Sequence, residues 1–170
     1  PSILNNIYVK YSTYGLWIKD GSHQITNAHL IDGNYGIVME GGTIEVVNAE
    51  VVNNTYGIYV LGGTLTIKNS SIHNNQLGLY VPLASALSVD ARNNWWGDQS
   101  GPYHSVANIG GKGNSVGGPW FINFSPWLKS EPTQQSINHP PTLSYSQDPG
   151  YASDNIENGK GICLIDPHGE

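Results

Sequence analysis

Six carboxylates lie in the first 90 residues of this 170-residue chain: Asp20, Asp32, Glu40, Glu45, Glu50 and Asp90. Two carboxyls facing each other about 5–9.5 Å apart are the minimum equipment for cleaving a glycosidic bond. His23, His29 and His73 are the other groups in this stretch able to move a proton or hold a metal, and a metal site needs several of them to converge. Cys163 is the single cysteine, so it forms no internal disulfide and no zinc site by itself. A different chemistry needs no acid at all. Flat aromatic rings such as Trp17, Tyr59 and Tyr80 can stack against sugar rings. Whether any of these groups meet depends on the elements that carry them.

From Tyr14 onward the chain reads in blocks of 21: YGLWIKDGSHQITNAHLIDGN, YGIVMEGGTIEVVNAEVVNNT and YGIYVLGGTLTIKNSSIHNNQ. Tyr14, Tyr35 and Tyr56 coincide, as do Gly15, Gly36 and Gly57. A fixed period of about 20 residues marks a solenoid. Inside each block the apolar residues alternate, which is the pattern of short, half-buried strands. Gly and Asn at the strand ends suit corners with positive φ. No block carries enough apolar surface to fold alone, but stacked blocks form continuous columns about 4.8 Å apart. The expected columns are Leu16–Ile37–Ile58–Leu79, Ile18–Met39–Val60–Val81, and Ile25–Val46–Ile67 with Val89. Asn27, Asn48 and Asn69 align at one corner, where stacked amides can bond along the column as a structural ladder. The predicted fold class is all-β, a single-stranded parallel β-helix with coils of about 21 residues. A leucine-rich horseshoe is excluded because its LxxLxLxxN pattern and helical segment are missing.

On this alignment the acids separate. Glu40 stacks near Lys19 and Leu61, and Glu45 falls between Gln24 and Thr66. No column pairs two acids, so no catalytic residue is assigned. His23 takes an apolar place in the column of Ile44, Leu65 and Leu87, which marks a hydrogen-bonded core or corner histidine. His29 and His73 are expected in separate columns without a partner at metal-ligand spacing, so no metal site is assigned. The third position of G-L-W-I, G-I-V-M, G-I-Y-V and G-L-Y-V reads Trp17, Val38, Tyr59 and Tyr80, one outward face. These rings either offer a sugar-stacking surface or simply stack on each other, as aromatic residues do on strands.

Residues 1–97 are assigned to the coils, the first partial and the fourth (77–97) carrying one extra residue near Pro82. That places Leu87 and Val89 opposite Leu65 and Ile67 at a spacing of 22 and ends the Asn column at Ala91. Residues 98–128 lose the period and are expected to cap the solenoid's apolar end, with Trp95, Trp96, Trp120 and Trp127 closing it. Residues 129–139 have linker composition, and residues 140–170 hold a short β tail. Because the chain opens mid-coil, further coils or a second copy are expected against its N-terminal side. Only 12% of residues are charged and the net charge is −6, with Lys10, Lys19, Lys68, Arg92 and Lys112 scattered. Without a basic stripe, a nucleic-acid partner is not expected. No run is long and apolar enough for a membrane span.

The coils YGIVMEGGTIEVVNAEVVNN and YGIYVLGGTLTIKNSSIHNN resemble the right-handed parallel β-helix repeats of bacterial and archaeal surface and secreted proteins, in the pectate-lyase-like superfamily. NNWWGDQSGP, followed by GKGNSV and FSPWL, is similar to the terminal coil and cap of that superfamily. PPTLSYSQDPGYASDNIENG resembles the opening of an Ig-like (cadherin- or PKD-like) module, so residues 140–170 are expected as a partial Ig-like segment. The resemblance implies an extracellular or cell-surface location; no cofactor is expected, since Asp148, Asp154, Glu157 and Asp166, which resemble calcium ligands of cadherin-like modules, do not have the spacing of a defined loop. It implies no particular activity, because a fold hosts many functions. The acid motifs of polygalacturonases are absent, as is the Asp cluster with a basic residue of pectate lyases; Arg92 is the one arginine. The expectation is a non-enzymatic extracellular module acting as spacer, adhesion element or subunit of an assembly. The alternative is a carbohydrate-binding or polysaccharide-degrading β-helix working through Trp17, Tyr59 and Tyr80.

Overall fold

A computed structural model describes residues 2–82, 88–118, 122–133 and 162–164. The chain enters on β1 (Ser2–Lys10). The first full coil is β2 (Tyr14–Ile18) with the long β3 (Ser22–Ile31). The second is β4 (Tyr35–Met39), β5 (Thr43–Val47) and β6 (Glu50–Val52). The third is β7 (Tyr56–Val60), β8 (Thr64–Lys68) and β9 (Ser71–His73). The fourth holds β10 (Leu77–Tyr80) and β11 (Ser88–Asp90). The cap adds β12 (Val116–Gly117) and β13 (Ile122–Asn123), and β14 (Ile162–Leu164) lies near the C-terminus. The described residues contain no helix.

All the strand pairs are parallel. The larger sheet runs β13-β11-β8-β5-β3-β6-β9 with β1 also on β3, and the smaller runs β12-β10-β7-β4-β2-β14. In the regular coils the register equals the repeat: Leu16 faces Ile37, Ile37 faces Ile58 and Ile58 faces Leu79. These side chains, and those of Ile18, Met39, Val60, Ile25, Val46 and Ile67, are fully buried in one continuous core. Three left-handed corners bend each coil. Gly21, Gly42 and Gly63 make one; Asn27, Asn48 and Asn69 (φ 54, 57 and 53) make the next; Asp32, Asn53 and Asn74 make the third. Asn and Asp tolerate this conformation better than other side chains with a Cβ.

The fourth coil departs from expectation. Val89 pairs with Leu65, a spacing of 24, so three residues are inserted rather than one. Val89 therefore joins the column of His23, Ile44 and Leu65, not that of Ile67, and Leu87 lies outside the described residues. The Asn column does not end at Ala91. Asn69 N–H donates to the Asn93 carbonyl, and Asn93 has the same left-handed φ of 58°.

The expected amide ladder also needs correction. Asn27 donates to the Oδ1 atoms of Asn5 and Asn6, but among the described residues neither Asn48 nor Asn69 bonds its column neighbour through the side chain. The shared left-handed backbone is what unites this column. A buried ladder stands at another corner. Asn54 Oδ1 accepts from Gly33 N–H, Asn75 Oδ1 from Asn54 N–H and Nδ2, and Asn114 Oδ1 from Asn75 N–H and Nδ2. The amide Nδ2 atoms also donate to the carbonyls of Leu30 and Val52, and of Val51 and His73.

At the C-terminal end Trp96 is fully buried, with Phe124, Ile122 and Val116 in the same core, and Trp127 packs against it. Trp95 is placed differently: its backbone bridges the buried Ser71, so it extends the solenoid wall and is not part of the core cluster. Trp120 lies outside the described residues. In the expected linker, Glu131 is bonded to Ser71 on the solenoid. Of the expected Ig-like segment, only β14 is described, and it joins the solenoid's smaller sheet.

Candidate functional site

Two outward faces carry the chemistry. The first is the aromatic face of the smaller sheet. Trp17, Val38, Tyr59 and Tyr80 share one register column as expected. They do not form a free row of ring faces. Tyr14, Tyr35 and Tyr56 stand beside them, with Tyr35 and Tyr56 stacked at 5.0 Å and 8°. Tyr59 meets both edge-on at 76° and 79°, and Tyr80 leans on Tyr59 at 5.7 Å. Trp17 contacts Tyr14 at 5.0 Å, and Lys19 Nζ lies 4.4 Å from a Trp17 ring centroid. Six rings thus make one contiguous surface, and much of each ring is spent on its neighbours. Val38, in the middle, is buried beneath them.

The second face lies along the edge strands of the larger sheet, and its order is a consequence of register. His29 faces Glu50, Glu50 faces Ser71, and Ser71 bridges Trp95. His29 Nδ1 is 2.7 Å from Glu50 Oε2, and the Tyr8 ring centroid lies 6.1 Å from that of His29. Ser71 Oγ donates to Glu131 Oε1, which also lies 3.2 Å from His73 Nε2. His29 and His73 lie in separate columns, as expected, and each is paired with a carboxylate. Beside His73 opens a polar cleft of about 360 Å³, with Asn74, Gln76, Lys112 and Asn114 in its wall. His23 behaves as expected, buried with Nε2 2.6 Å from the Asp20 carbonyl.

Serine, glutamate and histidine meet here in an order unsuited to nucleophilic catalysis. The carboxylate sits between the hydroxyl and the imidazole, whereas an activated serine needs the base next to its proton. The other acids are similarly occupied. Glu45 pairs with Lys68, Asp90 with Arg92, Asp32 with Lys10 and Asn53, and Asp98 with Ser100. Among the described residues, Glu40 alone of the side-chain carboxylates has no hydrogen-bond or ion-pair partner. No group of three or more His, Cys, Asp or Glu able to hold a metal occurs among the described residues. The acids of the tail considered for calcium lie outside them.

The hydrogen bond from His29 holds the Glu50 carboxyl below its ordinary value of 4.5, against the opposing effect of burial. A depressed carboxylate contributes stability above its unfolded pKa and loses that contribution as pH falls through the folded pKa. Glu50→Gln is therefore expected to destabilise the protein near neutral pH, and the difference from wild type should shrink below pH 4.5. Urea midpoints of both proteins across that range measure it; a gap that stays constant with pH would show the pair to be electrostatically idle.

A family model described as right-handed beta helix region matches residues 5–101. No curated protein and no solved structure gives a significant match.

Proposed function

The chain belongs to the right-handed β-helix family, and from that premise we propose that it is a non-enzymatic, extracellular or cell-surface module serving as a spacer, adhesion element or subunit of an assembly. The observation that supports this reading is the occupation of the acids. Glu50, Glu45 and Asp32 are tied to His29, Lys68 and Asn53 of adjoining coils, and Glu131 to the Ser71 hydroxyl, leaving Glu40 without a facing acid. Such pairing suits a wall that holds its coils in register, while an acid–base pair for bond cleavage needs one carboxyl free to take and return a proton. Incubation with a panel of plant, bacterial and animal polysaccharides should release no reducing or unsaturated ends. Release that disappears in Glu50→Gln or Glu131→Gln would overturn the proposal.

A second reading, carbohydrate binding, is favoured by the contiguous six-ring surface that includes Trp17, Tyr59 and Tyr80. Trp17 and Tyr80 stand at its two ends, in the first and fourth coils. Retention on a glycan array that falls at least tenfold in Trp17→Ala and Tyr80→Ala would support this reading. No retention, or retention indifferent to both changes, would remove it.

A further inference from the structure

We infer that the outer edge of β2 is a strand-acceptor site, filled in a single molecule by that molecule's own Ile162–Leu164 and open to the same segment of a second copy. Among the described residues, β1 pairs with β3 in the larger sheet and not with β2. Among the described residues, β14 is the strand on that side of β2, with Ile162 opposite Leu16, Cys163 opposite Trp17 and Leu164 opposite Ile18. It runs parallel and takes the place of a strand one coil earlier. The edge therefore selects a strand by the rule that stacks the coils: direction, register and free backbone N–H and C=O groups.

Three paired residues make a small contact, and its tether is long. Glu131 is fixed to the third coil through Ser71 and His73, and β14 begins at Ile162. The thirty residues between them can extend to roughly 100 Å, whereas the descent past three coils is about 14 Å. Chain length therefore does not confine the strand to its own molecule. Covalent linkage raises the local concentration of a molecule's own strand, so self-docking wins in dilute solution and exchange grows with concentration. A second copy is the fitting occupant because it carries the strand whose register already matches.

The native cysteine supplies the test. Facing residues on paired strands are about 4.8 Å apart, within the usual Cα separation of about 4.4–6.8 Å for a disulfide. In dilute, oxidised Trp17→Cys protein, Cys163 and the new thiol should both disappear while the protein stays monomeric. When Trp17→Cys/Cys163→Ser chains are mixed with unaltered chains, a mixed disulfide arises solely by exchange between copies. The covalent heterodimer should increase with protein concentration, and the Val38→Cys/Cys163→Ser control, one strand further in, should give none. Free thiols that persist in Trp17→Cys, or a heterodimer absent at every concentration, would overturn the inference. Sedimentation needs no change at Trp17: the unaltered chain should dimerise at high concentration and Cys163→Pro should not, since proline breaks a ladder. A dimer that survives Cys163→Pro would also overturn it.

Discussion

Asn75→Ala is expected to cost about 3–5 kcal/mol, far more than any change in the Asn27, Asn48 and Asn69 column. The Asn75 amide accepts from Asn54 N–H and Nδ2 and donates to the carbonyls of Val51 and His73. Asn54 and Asn75 are both buried, so water cannot replace these bonds. Each buried polar group left without its partner costs about 1–3 kcal/mol, and alanine orphans at least two. Asn48 is held for a different reason, its φ of 57°. Glycine adopts that conformation freely, so Asn48→Gly should stay within about 1 kcal/mol of wild type. Asn48→Ala should lose about 1–2 kcal/mol to the left-handed strain. Urea denaturation of the three variants ranks them. A cost for Asn48→Gly equal to that for Asn75→Ala would mean that the exposed amide, not the backbone, holds that corner.

The regular coils are legible in the sequence because parallel, in-register stacking makes identical environments recur every 21 residues, so Ile37 and Ile58 repeat the same choice. The fourth coil misleads for a related reason. Leu87 and Val89 are both apolar, and an alternating strand shifted by two residues satisfies the same pattern, so hydrophobicity cannot separate a spacing of 22 from 24. The left-handed asparagine is the better marker, since aligning Asn93 with Asn69 yields the observed register. The buried ladder is partly hidden. Asn54 and Asn75 lie one repeat apart, but the next member, Asn114, comes from the cap 39 residues later.

The two faces show the same division. The His29–Glu50 pair lies at the repeat spacing, 21 residues apart, yet reading the columns for apolar matches and paired acids left it unassigned. The partner of Ser71 was not, because Glu131 lies 60 residues away beyond an aperiodic segment. The aromatic column is correct in register, yet its neighbours decide its character. Tyr14, Tyr35 and Tyr56 are separated from it by three residues in sequence and are in contact with it in space. β14 illustrates the limit of local reading: its alternation suggests a strand, but nothing local specifies that its partner is Leu16–Ile18 at the opposite end of the chain.

Gly57→Ala should be nearly as damaging as Asn75→Ala, at about 3–4 kcal/mol, and the two effects should not add. Gly15, Gly36, Gly57 and Gly78 lie within strands, not at the positive-φ corners where glycine's conformational freedom is used. Their constraint is space. A Cβ on Gly57 would stand 2.6 Å from the Gly78 carbonyl oxygen and 2.9 Å from Asn75 Nδ2. The first neighbour is backbone fixed by the next coil, and the second is held in the amide ladder, so neither yields cheaply. Overpacking a tight interior costs about 1–3 kcal/mol, and displacing Asn75 adds part of the ladder's loss. Gly110, with nothing within 4 Å of an added Cβ, is the control, and Gly110→Ala should be neutral or slightly stabilising. In Gly57→Ala/Asn75→Ala the amide is already gone, so the double variant should be more stable than the sum of the single costs by about 1 kcal/mol, the signature of a shared contact. Strict additivity would place the glycine's constraint wholly on the Gly78 carbonyl and separate it from the ladder.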